Sequence, residues 1–105
     1  MSADIFSPIH PGEILLEEYL KPLGISRNRL GIDLGIPPQR IGEIVRKRRS
    51  LTLDTALRLA KYFGTSPQFW MGLQSDYDLD IAQDKLGDRL DHEIRSYSIT
   101  NPGAT

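Results

Sequence analysis

The stretch SRNRLGIDLGIPPQRIGEIVRKRRSLTL, from Ser26 to Leu53, decides the fold. Two short helices that cross at a tight turn need a small residue where they touch, a residue tolerant of positive φ at the turn, and apolar residues on the inner face of the second helix. Gly31, Gly35 and the set Ile36, Ile41 and Ile44 meet those needs, Ile41 and Ile44 falling three apart on one helical face. Ser26 is placed to cap the first helix. Pro37 and Pro38 suit the first turn of the second, where amide hydrogens have no helical partner in any case. The spacing predicts a helix-turn-helix over about residues 26–46, a unit that lays its second helix in the DNA major groove.

Charge points the same way. Between Arg27 and Arg49 the chain carries Arg27, Arg29, Arg40, Arg46, Lys47, Arg48 and Arg49 against only Asp33 and Glu43, a local net charge of +5 in a chain whose total is −1. The acids concentrate elsewhere: from Asp76 to Glu93 there are seven, against Lys85 and Arg89. Arg46–Arg49 alone would fit a solvated face. Joined to the turn pattern, they form the electrostatic footprint of a protein that docks on phosphates, with an acidic end that DNA would repel.

Composition excludes several alternatives. At 105 residues with 39% hydrophobic content, the chain is expected to form one domain around a modest core. It has no cysteine, hence neither disulfides nor a thiolate metal site. With no signal peptide and no apolar run of membrane-spanning length, the expectation is a soluble protein of the cytoplasm without a membrane partner.

Helical periodicity fills the rest. Residues 1–8 are expected to be a flexible arm. Pro11 or Gly12 opens a first helix carrying Ile14, Leu15, Tyr19 and Leu20, which Pro22 and Gly24 stop. After the helix-turn-helix, Thr52 caps a fourth helix with a predicted inner face of Leu53, Ala56, Leu57, Ala60 and Phe63, ended by Gly64. Ser66 and Pro67 start a fifth with Phe69, Trp70, Leu73 and Tyr77. The domain is expected to span residues 9–78. Leu79, Ala82, Leu86, Leu90 and Ile94 then step by three or four through residues 79–96, an amphipathic helix either continuous with the fifth or broken near Asp78, and weakened by Gly87. Residues 97–105 read as a disordered tail.

Taken together, Ile9-His10-Pro11-Gly12-Glu13-Ile14-Leu15, the Gly-Ile-Pro-Pro-Gln-Arg-Ile segment from Gly35, Leu57-Arg58-Leu59-Ala60 with Phe63-Gly64-Thr65-Ser66, and Phe69-Trp70-Met71-Gly72-Leu73-Gln74 with Tyr77-Asp78-Leu79 resemble the HigA-type antitoxins of bacterial addiction modules. The resemblance covers about Ile9 to Ile94. It implies an all-α, five-helix lambda-repressor-like DNA-binding domain with a C-terminal helical extension. It further implies a dimer that neutralises a HigB-type toxin, a ribosome-dependent messenger-RNA endonuclease, and represses its own operon. One position departs from the pattern: the family usually has glycine after the recognition helix, where this chain has Lys47, and a lysine at positive φ would be strained.

Roles follow from chemistry. Gln39 and Arg40, at the start of the second helix, are the candidates for base readout, since glutamine pairs with adenine and arginine with guanine. Glu43 could accept from a cytosine amino group or hold Arg46 or Lys47 as a helix pair, the latter being preferred. Ser26, Arg27 and Asn28, with the exposed amides of that helix N-terminus, are candidates for phosphate, as are Arg46, Lys47, Arg48 and Arg49, of which two or three can face one way. Leu79, Leu86, Leu90 and Ile94 are the candidate dimer interface. Glu13, Glu17 and Glu18 are the candidate toxin-binding acids, preferred over the Asp76–Glu93 stretch because that stretch is assigned to dimerisation.

Other features take plainer readings. His10 and His92 lack metal-ligand spacing, and His10 is expected at the packed start of the first helix. Asp76, Asp78, Asp80, Asp84 and Asp88 lack the glycine and terminal glutamate of a calcium loop and read as a solvated helical face. Phe69 is expected in the core, and Trp70 in a dimer or partner contact. No nucleophile elbow or phosphate-binding loop suggests an enzyme, and no cofactor is expected. The competing function is a stand-alone transcriptional repressor with no toxin partner, because fold alone does not separate the two.

Overall fold

The computed structural model describes residues 8–97, and over that range the chain is helical, with no strand. All of the expected arm except Pro8, and all of the expected tail except Tyr97, lie outside the described residues. Helix α1 comprises Pro11–Ile14, a π-helical stretch Leu15–Leu20 and a last turn Lys21–Leu23. Pro22 lacks an N–H and its ring would crowd the carbonyl four residues back; the widened π turn before it accommodates both defects, so the helix continues past Pro22 and ends at Gly24 with φ 68°. Then follow α2 (Arg27–Leu34), α3 (Pro38–Val45), α4 (Leu53–Phe63), α5 (Pro67–Leu86) and α6 (Arg89–Glu93).

The expected caps are in place. The Oγ of Ser26 accepts from the Arg29 N–H at 2.9 Å, Thr52 Oγ1 from Thr55 at 3.3 Å, and Ser66 Oγ from Phe69 at 3.0 Å. Each relieves one orphan donor at the start of a helix.

The core is a single cluster, with Leu15 and Leu20 from α1, Leu30 and Leu34 from α2, Ile41, Ile44 and Val45 from α3, Ala56, Leu59 and Ala60 from α4, and Trp70 from α5. Ile36 and Leu51, from the turns on either side of α3, complete it. The π segment brings Tyr19 against Phe63 and Trp70, with ring centroids 4.7 and 5.1 Å apart.

Two expectations are overturned. On α4, Leu53 and Leu57 point outward, 69% and 57% exposed, while Thr55, Ala56, Leu59 and Ala60 face inward. Small residues on the buried face let α4 lie close to its neighbours, and the stripe is rotated from the one that the leucines suggested. Phe69 and Trp70 exchange roles: Phe69 is 40% exposed and Trp70 is wholly buried. Successive residues on a helix point about 100° apart, and here it is the indole that turns inward, its Nε1–H donating to Thr65 Oγ1 at 2.7 Å. Of the two alternatives left open at Asp78, the structure has the continuous helix, α5 running unbroken through Asp78. The break comes at Gly87, with φ 53° and ψ −130°, so Leu79 and Leu86 sit on one helix, Leu90 on a second, and Ile94 at its C-cap. Of the 20 residues of α5 only Trp70 and Gln74 are buried, and its second half leaves the core.

Candidate nucleic-acid interface

The second helix of the turn motif, α3, is placed by two close approaches that only glycine permits. At Gly31 a methyl group would lie 2.7 Å from the Ile36 carbonyl oxygen and 2.9 Å from Pro38 Cα, so α2 meets the start of α3 backbone to backbone. At Gly12 a methyl group would overlap the Ile44 carbonyl, so α1 abuts the end of α3 in the same manner. Between these points Ile41, Gly42, Ile44 and Val45 are buried, leaving Gln39 and Arg40 exposed on the first turn. Pro38 occupies the first helical position, where its missing N–H costs nothing.

The turn between the helices is supported from α4. Gly35 closes α2 with φ 73°, and the Arg58 guanidinium donates to the Leu34 carbonyl at 2.9 Å, satisfying an oxygen that the helix end leaves free. Beside it Tyr62 donates to Asp33 at 2.6 Å and Arg29 to the same carboxylate at 2.9 Å. The Tyr62 hydroxyl, followed by Arg29, holds Asp33 below its ordinary range, and the same bond raises Tyr62. Arg29 is therefore turned along α2, while Arg27 and Asn28 remain open at its N-terminus, and Ser26 is occupied as the cap.

The basic run begins where α3 ends. Arg46 is its C-cap, Lys47 follows at φ 64°, the Lys47 N–H donates to the Ile44 carbonyl at 3.0 Å and the Arg48 N–H to the Glu43 carbonyl at 2.8 Å. This is a Schellman cap with lysine where glycine is the usual residue, as the departure at Lys47 implied. Lys47 pairs with Glu13 of α1 at 3.3 Å. Glu43 forms an ion pair, but with Arg49 at 2.8 Å and not with the expected Arg46 or Lys47, because the chain reverses after the cap and returns Arg49 to the helix. Arg46 folds back over Gly42. Among the described residues Arg27, Arg40, Arg46 and Arg48 make no ion pair, and with Gln39 they form the part of the basic surface free to meet a polyanion.

One anchor of this loop carried no recognisable signal in the sequence. Gln74 on α5, only 3% exposed, accepts from the Leu51 N–H at 2.7 Å and donates to Asp78 at 2.9 Å, fixing the far end of the loop. His10, 2% exposed, caps α1 by accepting from the Gly12 N–H at 2.9 Å through Nδ1. Sequence placed His10 at the packed start of α1 but gave no sign that its ring would cap the helix.

The expected toxin-facing acids are on the surface and partly committed. Glu13 is tied to Lys47, Glu17 to Lys21 at 2.9 Å, and Glu18 makes no ion pair among the described residues. The Glu13–Lys47 contact joins the two faces that the sequence treats as separate. No group of metal-ligating side chains occurs, and no helix is long and apolar enough to cross a membrane, among the described residues.

Residues 16–70 match a family model described as helix-turn-helix. Over 78 residues the chain is 58% identical to virulence-associated protein I of Dichelobacter nodosus, spanning 73% of this chain and 72% of that protein. Among solved structures it resembles the Pseudomonas aeruginosa antitoxin HigA with the higBA promoter, at TM-score 0.83 and 44% identity over 87% of this chain and 99% of that one. It also resembles an addiction module antidote protein of the HigA family from Coxiella burnetii, at TM-score 0.81 and 49% identity over 86% and 98%.

The left-handed lysine yields a prediction. Such a conformation costs a non-glycine residue about 1–2 kcal/mol, offset in part by the greater unfolded-state freedom of glycine. Lys47→Gly should therefore raise the unfolding free energy by about 0.5–1 kcal/mol in a urea titration, the exposed pair with Glu13 subtracting little. A destabilised variant would show that Lys47 carries no strain.

Proposed function

The chain belongs to the helix-turn-helix family and, within it, to the HigA-type antitoxins; from that premise we propose that it binds the operator of its own operon through α3 and neutralises a HigB-type toxin with a separate acidic face. The observation that carries the DNA reading is the array of Gln39, Arg40, Arg46 and Arg48 around the exposed side of a helix whose opposite side is buried. Gln39 and Arg40 read base edges, the amide bidentate to adenine and the guanidinium to guanine. Arg46 and Arg48, with Arg27, Asn28 and the amides around Ser26, hold phosphate, and Lys47 and Arg49 lend charge while ion-paired to Glu13 and Glu43. Glu43 orients Arg49 in this scheme and does not read cytosine.

Gln39→Ala/Arg40→Ala should cost about 1–3 kcal/mol at particular base pairs of the promoter, whereas Arg48→Ala should weaken every duplex and lower the salt slope by about 0.9 log units per tenfold salt. Fluorescence anisotropy across a set of single-base operator variants separates these outcomes. A double mutant that still discriminates the operator from random DNA to the wild-type extent places base readout elsewhere.

One recognition helix reads few base pairs, and a two-fold dimer would place two of them in half-sites about 34–36 Å apart. Leu79 (54% exposed) and Leu86 on α5, with Leu90 (45%) and Ile94 (61%) around α6, supply apolar surface that the core leaves uncovered, and support dimerisation there. Leu79→Glu/Leu90→Glu should sediment as a folded monomer at micromolar concentration; persistence of a dimer removes the interface from this face.

Toxin neutralisation is assigned to Glu17 and Glu18 on the π segment, with Glu13 beside them. A nuclease acting on ribosome-bound messenger is expected to be basic and so to seek an acidic surface. Glu17→Lys/Glu18→Lys should abolish copurification with the product of the neighbouring gene and its detoxification in cells, while operator affinity stays within a few fold. If the neighbouring product is not toxic, the protein is a stand-alone repressor; if Asp84→Lys/Asp88→Lys abolishes neutralisation instead, the toxin face is the C-terminal one.

A further inference from the structure

A buried amide in so small a core has to be satisfied, and Gln74 is satisfied from two directions. It lies on α5 one turn after Trp70 and is 3% exposed. Its Oε1 accepts from the Leu51 N–H at 2.7 Å, and its Nε2 donates to Asp78 Oδ1, one turn further along the helix, at 2.9 Å. The first bond spans 23 residues and joins α5 to the loop between α3 and α4; the second fixes which way the amide points. Acceptor and donor are used together, and neither an apolar side chain nor a carboxylate of the same length supplies both.

The loop is tied at both ends. Where it leaves α3, the Lys47 N–H reaches the Ile44 carbonyl and the Arg48 N–H the Glu43 carbonyl. At its far end the Leu51 side chain is buried in the core and its backbone N–H is held by Gln74. Between these ties Arg49 is drawn back to Glu43 at 2.8 Å. Burial of the leucine side chain alone would leave the Ser50–Leu51 peptide free to turn. The bond to Gln74 directs that N–H toward α5, and so sets the path of the chain that carries Arg48.

We propose that Gln74, oriented by Asp78, is a positioning residue for DNA binding, holding the far end of this loop so that Arg46 and Arg48 meet phosphate from a pre-set backbone. The proposal rests on the reading of Arg46 and Arg48 as phosphate contacts. A loop ordered beforehand sacrifices less conformational freedom when phosphate binds, whereas a loop with one tie cut must order its cations at the moment of contact. Gln74 itself touches no DNA in this scheme, being buried behind the residues that do.

The test is a double-mutant cycle on the full chain, with affinity read by fluorescence anisotropy on a mixed-sequence duplex, which presents phosphate whatever the operator. Gln74→Met keeps the length of the side chain and removes both bonds; Arg48→Ala removes one phosphate contact. Gln74→Met should weaken binding about three- to tenfold, the effect of restoring freedom to one long cationic side chain. In the Arg48→Ala background the same change should have about half that effect or less, on a logarithmic scale. A glutamine that served the fold alone would give the same fold-loss in both backgrounds, and that result overturns the proposal. Asp78 is exposed and offers a pair of variants that leaves the core alone. Asp78→Asn and Asp78→Ala remove the same charge, but only asparagine keeps an oxygen for the Gln74 amide. Asp78→Asn should bind at least as tightly as wild type, having lost a negative charge, and about two- to threefold more tightly than Asp78→Ala. Equal affinities within this pair overturn the proposal even if Gln74→Met fails to fold. If Arg48→Ala changes neither affinity nor salt slope, the phosphate reading fails and the proposal falls with it; if Arg48→Ala acts and Gln74→Met is silent, the proposal alone is overturned.

Discussion

The eight residues of α3 are too few to hold a helix in water, where nucleation outweighs propagation for so short a segment. What holds them is a grip on both ends. At Gly31 the backbone of α2 reaches the Ile36 carbonyl and Pro38, and at Gly12 the backbone of α1 reaches the Ile44 carbonyl. With the ends fixed and Ile41, Ile44 and Val45 buried between them, rotation about the axis of α3 is settled, and the direction of Gln39 and Arg40 with it. Removing either contact would loosen the end of α3 that it holds, and with it the orientation of the exposed side that carries Gln39 and Arg40.

Sequence was most legible where one local rule sufficed. Ser26, Thr52 and Ser66 cap as their types and positions suggest, Gly24, Gly35 and Gly64 end helices in left-handed geometry, and Lys47 takes the strained conformation that its place after α3 demands. It was least legible where two local readings were equally good. Leu53 and Leu57 are more hydrophobic than Thr55 and Ala56, yet α4 buries the latter pair with Leu59 and Ala60, so the inward stripe takes only one of the three leucines of the helix. Phe69 and Trp70 could each have entered the core, and Trp70, which did, has the hydroxyl of Thr65, five residues away, as the partner of its indole N–H. Helix α5 passes Asp78 because nothing there stops it, whereas Gly87 does.

The interface was legible as a charge pattern and opaque as a network. Periodicity could locate Gln39 and Arg40 on an exposed first turn. It could not say that Glu43 would pair with Arg49, since a helix-pair rule looks three or four residues ahead and the actual partner lies six away, across a chain reversal. Nor could it place Gln74 beneath Leu51, a contact that joins residues 23 apart in the sequence. Long-range polar anchors have no period.

The network also changes what the basic run is worth. Seven cations lie between Arg27 and Arg49, but Arg29, Lys47 and Arg49 already have carboxylate partners at 2.9, 3.3 and 2.8 Å. The paired cations still add to the positive potential that draws DNA in, but each must leave or share a carboxylate before it can displace a counterion. The pairs hold the loop in shape, so that Arg46 and Arg48 are presented by a scaffold whose own charges are partly spent. Glu13 is the exception to a purely local economy: it belongs to α1, beside Glu17 and Glu18, and any basic partner that drew its carboxylate away would leave Lys47 on its strained cap with a free ammonium. The acidic and basic faces of this small domain thus meet at one exposed contact, where a change on the first is felt by the second without any shift of the core.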